Sequence, residues 1–261
     1  MQFLESVDLA SFTRFLYLWA AIGILATPAI LITGKLPMSS KLDAGFLAAF
    51  GMIDKRLGWI IMEAPVLMVI SFFYLRGDNP LNVSAIFVAA FLIHYANRAL
   101  IYPFRIRVTG KKMPVCIMLA SMSFYVINGY LLGYYFGSLR SYPPEWLYDP
   151  RFLLGMGLFI AGLAINITSD NILITLRASG ETGYKIPQGG LFRYVSCPHY
   201  LGECMEWIGF AIMSWCLPGA VYAGWVALPL VAQAINAHRW YRDTFGDAYP
   251  RSRRAIIPGV L

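Results

Sequence analysis

The chain has 261 residues, 58% of them hydrophobic and 13% charged, with mean hydropathy +0.59 and formal net charge +7. Such values exclude an ordinary soluble domain and indicate a polytopic membrane protein. The positive charge calls for no nucleic acid, because most of it lies between apolar segments and serves to orient them.

An apolar stretch of about 20 residues crosses the hydrocarbon core. In chain order, Phe15–Gly34 carries no charge, Leu57–Leu75 carries only Glu63, and Leu81–Tyr102 is uncharged until Arg98. Met113–Leu139 and Phe152–Ser169 carry none. Trp207–Ala237 is too long for one span, and Leu217-Pro218-Gly219 near its middle reads as a tight turn dividing it into two helices. The expected fold is all-α, an integral membrane bundle of seven transmembrane helices in one domain over residues 1–261.

With seven spans, one side receives Lys35, Lys41, Lys55 and Arg56; Arg105, Arg107, Lys111 and Lys112; Arg177, Lys185 and Arg193; and Arg239, Arg242, Arg251, Arg253 and Arg254. The other side receives Arg14, Arg76, Arg140 and Arg151. This bias places the C-terminus in the cytoplasm and the N-terminus outside. A six-span arrangement would split the basic loops between both faces. The membrane would be the endoplasmic reticulum in a eukaryote or the inner membrane in a bacterium. Met1–Asp8 is acidic rather than basic, and the apolar run after it is long enough to span, so the start does not read as a signal peptide. Loops are short, so chemistry belongs in the bundle or at its cytoplasmic mouth.

Cys116, Cys197, Cys204 and Cys216 form no CxxC pair and read as buried small hydrophobes. No HExxH or similar spacing occurs, so no metal is expected. Gly155, Gly157 and Gly162 fail the GxGxxG spacing and lie in a span, where small residues serve helix packing.

Polar groups inside apolar segments cost a few kcal/mol apiece unless paired or wet. Glu63 could be a structural hydrogen-bond donor, an interfacial residue, or a functional acid kept neutral by burial; intramembrane acids favour function. Tyr95, Arg98 and Tyr102 fall at i, i+3 and i+7, as one helical face. An interfacial aromatic belt with a snorkelling arginine explains Tyr102 alone better than the whole stripe. Asn166, Asp170 and Arg177 share a face, as do His199, Glu203 and Glu206, where two neighbouring acids need donors nearby. The last span ends His238-Arg239-Trp240-Tyr241-Arg242. Each cluster alone could solvate a helix end. Four helices delivering polar rows to one side favour a shared anionic ligand rich in hydrogen-bonding groups.

These residues sit in a pattern that resembles the steroid 5-alpha-reductase family. The resemblance is strongest over Asn166-Ile-Thr-Ser-Asp170, Tyr184-Lys-Ile-Pro-Gln-Gly-Gly-Leu-Phe192, Tyr194-Val-Ser196, Leu201-Gly-Glu203, Glu206-Trp-Ile-Gly209 and the segment Tyr249 to Pro258. Upstream it continues through Asn128-Gly129, Gly133-Tyr134-Tyr135, His94-Tyr95 with Arg98, and Glu63. It implies seven helices, NADPH as hydride donor and a 3-oxo-4-ene steroid, or another lipid enone, drawn from the bilayer by a chain acting as a monomer. It further implies that Glu63 and Tyr95 bind the substrate 3-ketone. Arg98, Tyr102, Lys111, Asn166, Asp170, Arg177, Tyr184, Lys185, His199, Glu203 and Tyr241 would line the cofactor site. Met62, Lys111, Lys185 and His199 depart from the residues usual in that family.

Other readings stay open at this stage. A reductase of polyprenal or enoyl-CoA would share the C-terminal pattern. Cys197-Pro198-His199-Tyr200-Leu201-Gly202 faintly resembles an isoprenylcysteine carboxyl methyltransferase motif, which would imply S-adenosylmethionine. A non-catalytic sterol-binding protein would not need an intact nucleotide site. A transporter is disfavoured by the lack of a repeat or paired broken helices.

Overall fold

The computed structural model describes residues 8–33, 45–78, 82–107, 110–176 and 183–261. Arg177, Lys35 and Lys41, which entered the reading above, lie outside the described residues, as do residues 1–7.

Helix α1 (Leu9–Thr33) is followed by a short turn of helix, α2 (Gly45–Ala48), and strand β1 (Met52–Asp54). Asp54 starts α3 (Lys55–Glu63) by accepting hydrogen bonds from the backbone of Arg56 and Leu57 at 3.0 and 3.1 Å. Pro65 then opens α4 (Pro65–Leu75), so Glu63 sits at a seam in an otherwise continuous span. Helix α5 (Ser84–Tyr95) widens into a π-helical segment, Ala96–Ile101, before α6 (Tyr102–Arg105). Strand β2 (Lys112–Pro114) pairs antiparallel with β1 and ties the start of α3 to the start of α7 (Val115–Tyr134). Asp149, whose carboxyl is held down at about 2 by hydrogen bonds from Arg151, caps α8 (Pro150–Thr175). Helices α9 (Pro198–Ser214) and α10 (Leu217–Phe245) complete the bundle.

Six helical segments among the described residues are long and apolar enough to cross a membrane, within Leu9–Pro28, Lys55–Leu75, Ser84–Arg105, Val115–Leu139, Pro150–Thr175 and Leu217–Ala248. Helix α9 has 17 residues, about 25 Å of helix. Leu25, Met68, Leu75 and Leu154 point outward from these helices, a surface suited to lipid. The turn expected at Leu217-Pro218-Gly219 falls earlier. Trp215 adopts the left-handed region with φ 43° and Cys216 caps α10, while Pro218 is tolerated in the first helical turn, where its missing N–H leaves nothing unpaired.

The closest helix pair is α8 with α9, and glycine explains it. A side chain at Gly162 would meet the backbone of Gly202 and Glu206, and one at Gly209 would meet the backbone of Gly155 and Phe159. The two backbones therefore touch along a seam that only glycine permits. That contact brings Asn166 and Asp170 of α8 alongside His199, Glu203 and Glu206 of α9. Helices α4 and α7 approach in the same way, with Gly133 against the backbone of Ile70. An aromatic core of Phe87, Phe91, Phe136, Phe152, Phe210 and Tyr142 fills the end of the bundle away from the β-ribbon.

Candidate active site

Two carboxylates and four hydroxyl or imidazole groups meet where α3, α5, α7, α9 and α10 converge. Glu63 is 2% exposed, and its Oε1 accepts from the Tyr125 hydroxyl at 3.2 Å. Its Oε2 has no partner, and neither does the buried indole N–H of Trp59 one helical turn earlier. The Tyr95 hydroxyl shares a hydrogen bond with the Tyr222 hydroxyl. The Tyr95 and Tyr125 rings meet edge to face with centroids 5.5 Å apart, so Tyr125 lies against both groups expected to hold a carbonyl. The structure thus brings Glu63 and Tyr95, from different helices, against the same Tyr125 side chain.

Beneath them, His94 Nδ1 and Glu206 Oε2 lie 2.7 Å apart with both side chains almost fully buried. This gives Glu206, one of the two acids of α9, a close partner. The Trp207 ring stacks beside Tyr95 and meets His94 edge to face, with its indole N–H unpartnered.

Arg98 organises the next layer outward. Its Nη1 donates to Asp170 Oδ2 at 3.2 Å, and the guanidinium lies over the rings of Tyr102 and Trp59 at 4.5 and 5.2 Å. Glu203 and Glu63 are within its electrostatic reach. Asn166 Nδ2 donates to the His199 carbonyl at 3.0 Å, leaving Asn166 Oδ1 and His199 Nδ1 buried without partners. Arg98, Tyr102, Asn166, Asp170, His199 and Glu203 therefore form one inner group. The π-helical segment shapes it: Arg98 reaches Asp170 and Tyr102, whereas Tyr95 turns to Tyr222, so the expected stripe divides between two layers. Such segments recur at functional sites.

The remaining expected residues lie farther out. Tyr184 packs against Trp240 with ring centroids 4.8 Å apart, and Tyr241 stacks on Tyr249 at 5.4 Å. Tyr200, packed on His199 at 4.1 Å, lies within electrostatic reach of both Glu203 and Cys197, and Cys197 in turn is within reach of Tyr241. Lys185 is exposed. Lys111 is also exposed; its carbonyl accepts from the Lys55 backbone at 2.9 Å at the open end of the β-ribbon, apart from the inner group.

The sequence matches the family described as 3-oxo-5-alpha-steroid 4-dehydrogenase over residues 111–261. It is 44% identical over 209 residues to 3-oxo-5-alpha-steroid 4-dehydrogenase 1 of Macaca fascicularis, covering 79% of each chain. It is 40% identical over 250 residues to the protein of that name from Bos taurus, covering 94% of this chain and 95% of the relative. Steroid 5-alpha-reductase DET2 of Solanum lycopersicum is 36% identical over 209 residues, covering 79% of this chain and 81% of its own. The chain belongs to the 3-oxo-5-alpha-steroid 4-dehydrogenase family. It is thereby an oxidoreductase of steroid metabolism built as a multi-pass membrane protein.

For a member of this family, several site groups escaped the sequence reading. Tyr125 and Tyr222 lie in uncharged spans and carry no local mark of polarity. Trp59 carries no local mark of function, and Trp207 stands out only as part of the motif Glu206-Trp-Ile-Gly209. One signal was available: Tyr125 falls three residues before Asn128, itself buried and accepting from Trp19 Nε1 at 3.3 Å, so two polar side chains share one apolar helix face.

Proposed function

We propose that this protein reduces the 4,5 double bond of a 3-oxo-4-ene steroid with NADPH, the 3-ketone being held by Glu63 and Tyr95. What carries the reading is the concentration of buried, unpartnered polar atoms on Glu63, Trp59, Asn166, His199, Glu206 and Trp207. Buried polar groups are normally satisfied, so a cluster of exceptions at one place marks where a ligand supplies the missing partners.

The inner group fits a dinucleotide. Arg98 offers charge-assisted donors, Asn166 Oδ1 and His199 Nδ1 offer unmatched hydrogen-bonding atoms, and Asp170 and Glu203 accept from hydroxyl or amide groups. Tyr184, Lys185, Lys111, Tyr241 and Arg177 extend this set outward, and the basic residues favour the more highly charged NADPH over NADH. When bound, NADPH would supply the hydride to C5, and a solvent-derived proton would complete C4 as the enolate returns to the ketone. The chain's own residues do the rest. Negative charge develops on the steroid ketone oxygen as the double bond is reduced, and a protonated Glu63 and the Tyr95 hydroxyl donate to that oxygen. Tyr125 steadies the Glu63 carboxyl, and Tyr222 fixes the Tyr95 hydroxyl. The aromatic walls of Phe91, Trp207 and Phe210 exclude water, which strengthens every one of these hydrogen bonds.

In this reading α9 also crosses the bilayer, giving seven spans with the C-terminus cytoplasmic, and residues 1–261 work as one domain. The steroid arrives through the lipid, the cofactor from the aqueous mouth. The membrane is the endoplasmic reticulum or a bacterial inner membrane, according to source.

The test is to identify the nucleotide that co-purifies, by mass spectrometry and absorbance in the reduced-nicotinamide band. NADPH oxidation is then followed with progesterone, products being separated by chromatography. NADPH-dependent formation of the 5-alpha-reduced ketone is expected. Equal affinity for NADH would overturn the cofactor choice, and turnover only with a non-steroid lipid enone would overturn the substrate.

A further inference from the structure

Beyond the last turns of α10 lies a cavity of about 750 Å³ that includes none of the inner group and adjoins the outer residues through Tyr249. Its wall carries five arginines, Arg239, Arg242, Arg251, Arg253 and Arg254, and two aspartates, Asp243 and Asp247. Asp247 is already engaged by Arg251 at 2.6 Å. Among the described residues, Arg239, Arg242 and Arg254 make no ion pair, so the cavity holds an excess of positive charge.

Arg253 sharpens the chemistry. It is 2% exposed, and its Nη2 donates to the Pro187 carbonyl and the Gln188 side chain, each at 3.0 Å. Its Nε and Nη1 make no hydrogen bond, and the guanidinium lies over the Tyr249 ring at 5.4 Å. A buried guanidinium with two idle donors is costly unless an anionic acceptor arrives, and phosphate oxygens match its fork.

Depth in the membrane decides the source of that phosphate. Helix α10 has 29 residues, about 43 Å of helix, against a hydrocarbon core of about 30 Å. Its first residue follows the tight turn after α9, so the surplus length emerges at the arginine end. About 20 residues, reaching to about Ala237, fill the core. His238 and the residues after it therefore lie at headgroup level, where Trp240 and Tyr241 form an interfacial pair. A basic pocket at that depth faces lipid phosphates before it faces bulk solution.

We propose that this cavity binds the phosphate headgroup of an anionic phospholipid. The site adjoins the outer part of the proposed cofactor set, since Tyr249 in its wall stacks on Tyr241 and Arg239 and Arg242 belong to the polar row that ends α10, but none of its arginines is assigned a contact with cofactor or steroid.

The experiment is native mass spectrometry of the purified full-length protein, released from nanodiscs containing phosphatidylglycerol and phosphatidylcholine in equal amounts. The parent is expected to retain phosphatidylglycerol with at least about a tenfold preference. Arg242→Gln and Arg254→Gln should each lower that preference about fivefold, in keeping with the attraction of one basic residue near a charged surface. The triple variant with Arg239→Gln should abolish it. Both single substitutions are at exposed positions, and an unchanged melting temperature in pure phosphatidylcholine nanodiscs verifies that each variant is folded. Inorganic phosphate and NADP+ are added as separate competitors. No lipid preference in the parent, or an unchanged preference in both folded single variants, would overturn the proposal. Displacement of phosphatidylglycerol by inorganic phosphate or NADP+ would also overturn it, assigning the cavity to a soluble phosphate instead.

Discussion

At one end of the bundle, Tyr142 donates to the Ser214 carbonyl at 2.8 Å, Trp146 to the Met213 carbonyl at 2.9 Å, and Ser214 to the Phe210 carbonyl at 2.7 Å. Ser84 is likewise satisfied by the Phe136 carbonyl. Toward the other end, around Glu63, Asn166, His199 and Glu206, side chains just as buried keep atoms with no partner. The same helices run through both ends, so the difference is not one of fold. An end whose polar atoms are all matched is complete as folded. An end with idle donors and acceptors is built for a partner of another kind. Substitutions at the first end should therefore act on stability, and those at the second on activity.

The largest effect expected from that contrast is at Glu63 and Tyr95. Glu63→Ala and Tyr95→Phe should each lower steroid turnover about a hundredfold or more, the usual loss when an oxyanion donor is removed. NADPH affinity should stay close to the parent's, because the group proposed to hold the cofactor, built on Arg98 and Asp170, lies a layer away. Glu63→Gln retains an amide donor without the acid and should keep part of the activity. Rates of NADPH oxidation with progesterone provide the check, and parent-like turnover in both Glu63→Ala and Tyr95→Phe would show that other groups hold the ketone.

Next come Asp170 and Glu203. Each is expected to contribute a charged hydrogen bond to the cofactor, so Asp170→Ala or Glu203→Ala should weaken NADPH binding by about tenfold to a hundredfold. Asp170→Ala has a second effect, since it leaves Arg98 without its ion-pair partner. Fluorescence titration of the nucleotide measures the loss. Unchanged affinity in both variants would return these residues to the role of solvating a helix end.

At the matched end the expected signs reverse. Tyr142→Phe removes one satisfied hydrogen bond and leaves the Ser214 carbonyl unpaired, which should cost about 1 to 3 kcal/mol of stability. Steroid turnover by the folded fraction should not change. Thermal unfolding in detergent, paired with the NADPH oxidation assay, separates the two. A large loss of turnover at unaltered stability would mean that the aromatic end takes part in catalysis and that the contrast between the ends is false.

How much of this was legible beforehand follows from the range of each signal. The apolar helices were readable because an apolar run is a local property, and Gly155 and Gly162 were readable as helix-packing residues, though not which helix they meet. The rows Asn166–Asp170 and His199–Glu203–Glu206 were readable because polar residues at helical spacing stand out in apolar sequence. Gly202 and Gly209 drew no notice as packing residues, because a seam needs both helices and their register is a tertiary property. The roles of Tyr125 and Tyr222 were hidden for the same reason: a tyrosine in a span acquires a task only from the residue across from it. The π-helical segment after Tyr95 left no mark in sequence, yet it splits a stripe that helical periodicity joined. Lys111 joins the proposed cofactor set by family pattern alone, and it lies at the open end of the β-ribbon, exposed.

The smallest expected effect marks where the unsatisfied end stops. The backbone N–H groups of Ser196 and Cys197 donate to the carbonyls of Arg254 and Ala255, closing the chain's C-terminal segment over the start of α9. Cys197 is buried behind that closure, and burial pushes its thiol from 9.0 up to about 12. The folded state thus binds this proton more tightly than the unfolded chain does. Its contribution to stability is fully present below about pH 9 and is lost as pH rises toward 12. At pH 8 the folded protein should show almost no alkylation of Cys197 by iodoacetamide, while the denatured chain reacts readily. Mass spectrometry of peptides labelled before and after denaturation gives the ratio. Rapid labelling of Cys197 in the folded protein would mean that the C-terminal segment opens, and that the boundary between the finished and unfinished parts of this end lies deeper, at His199.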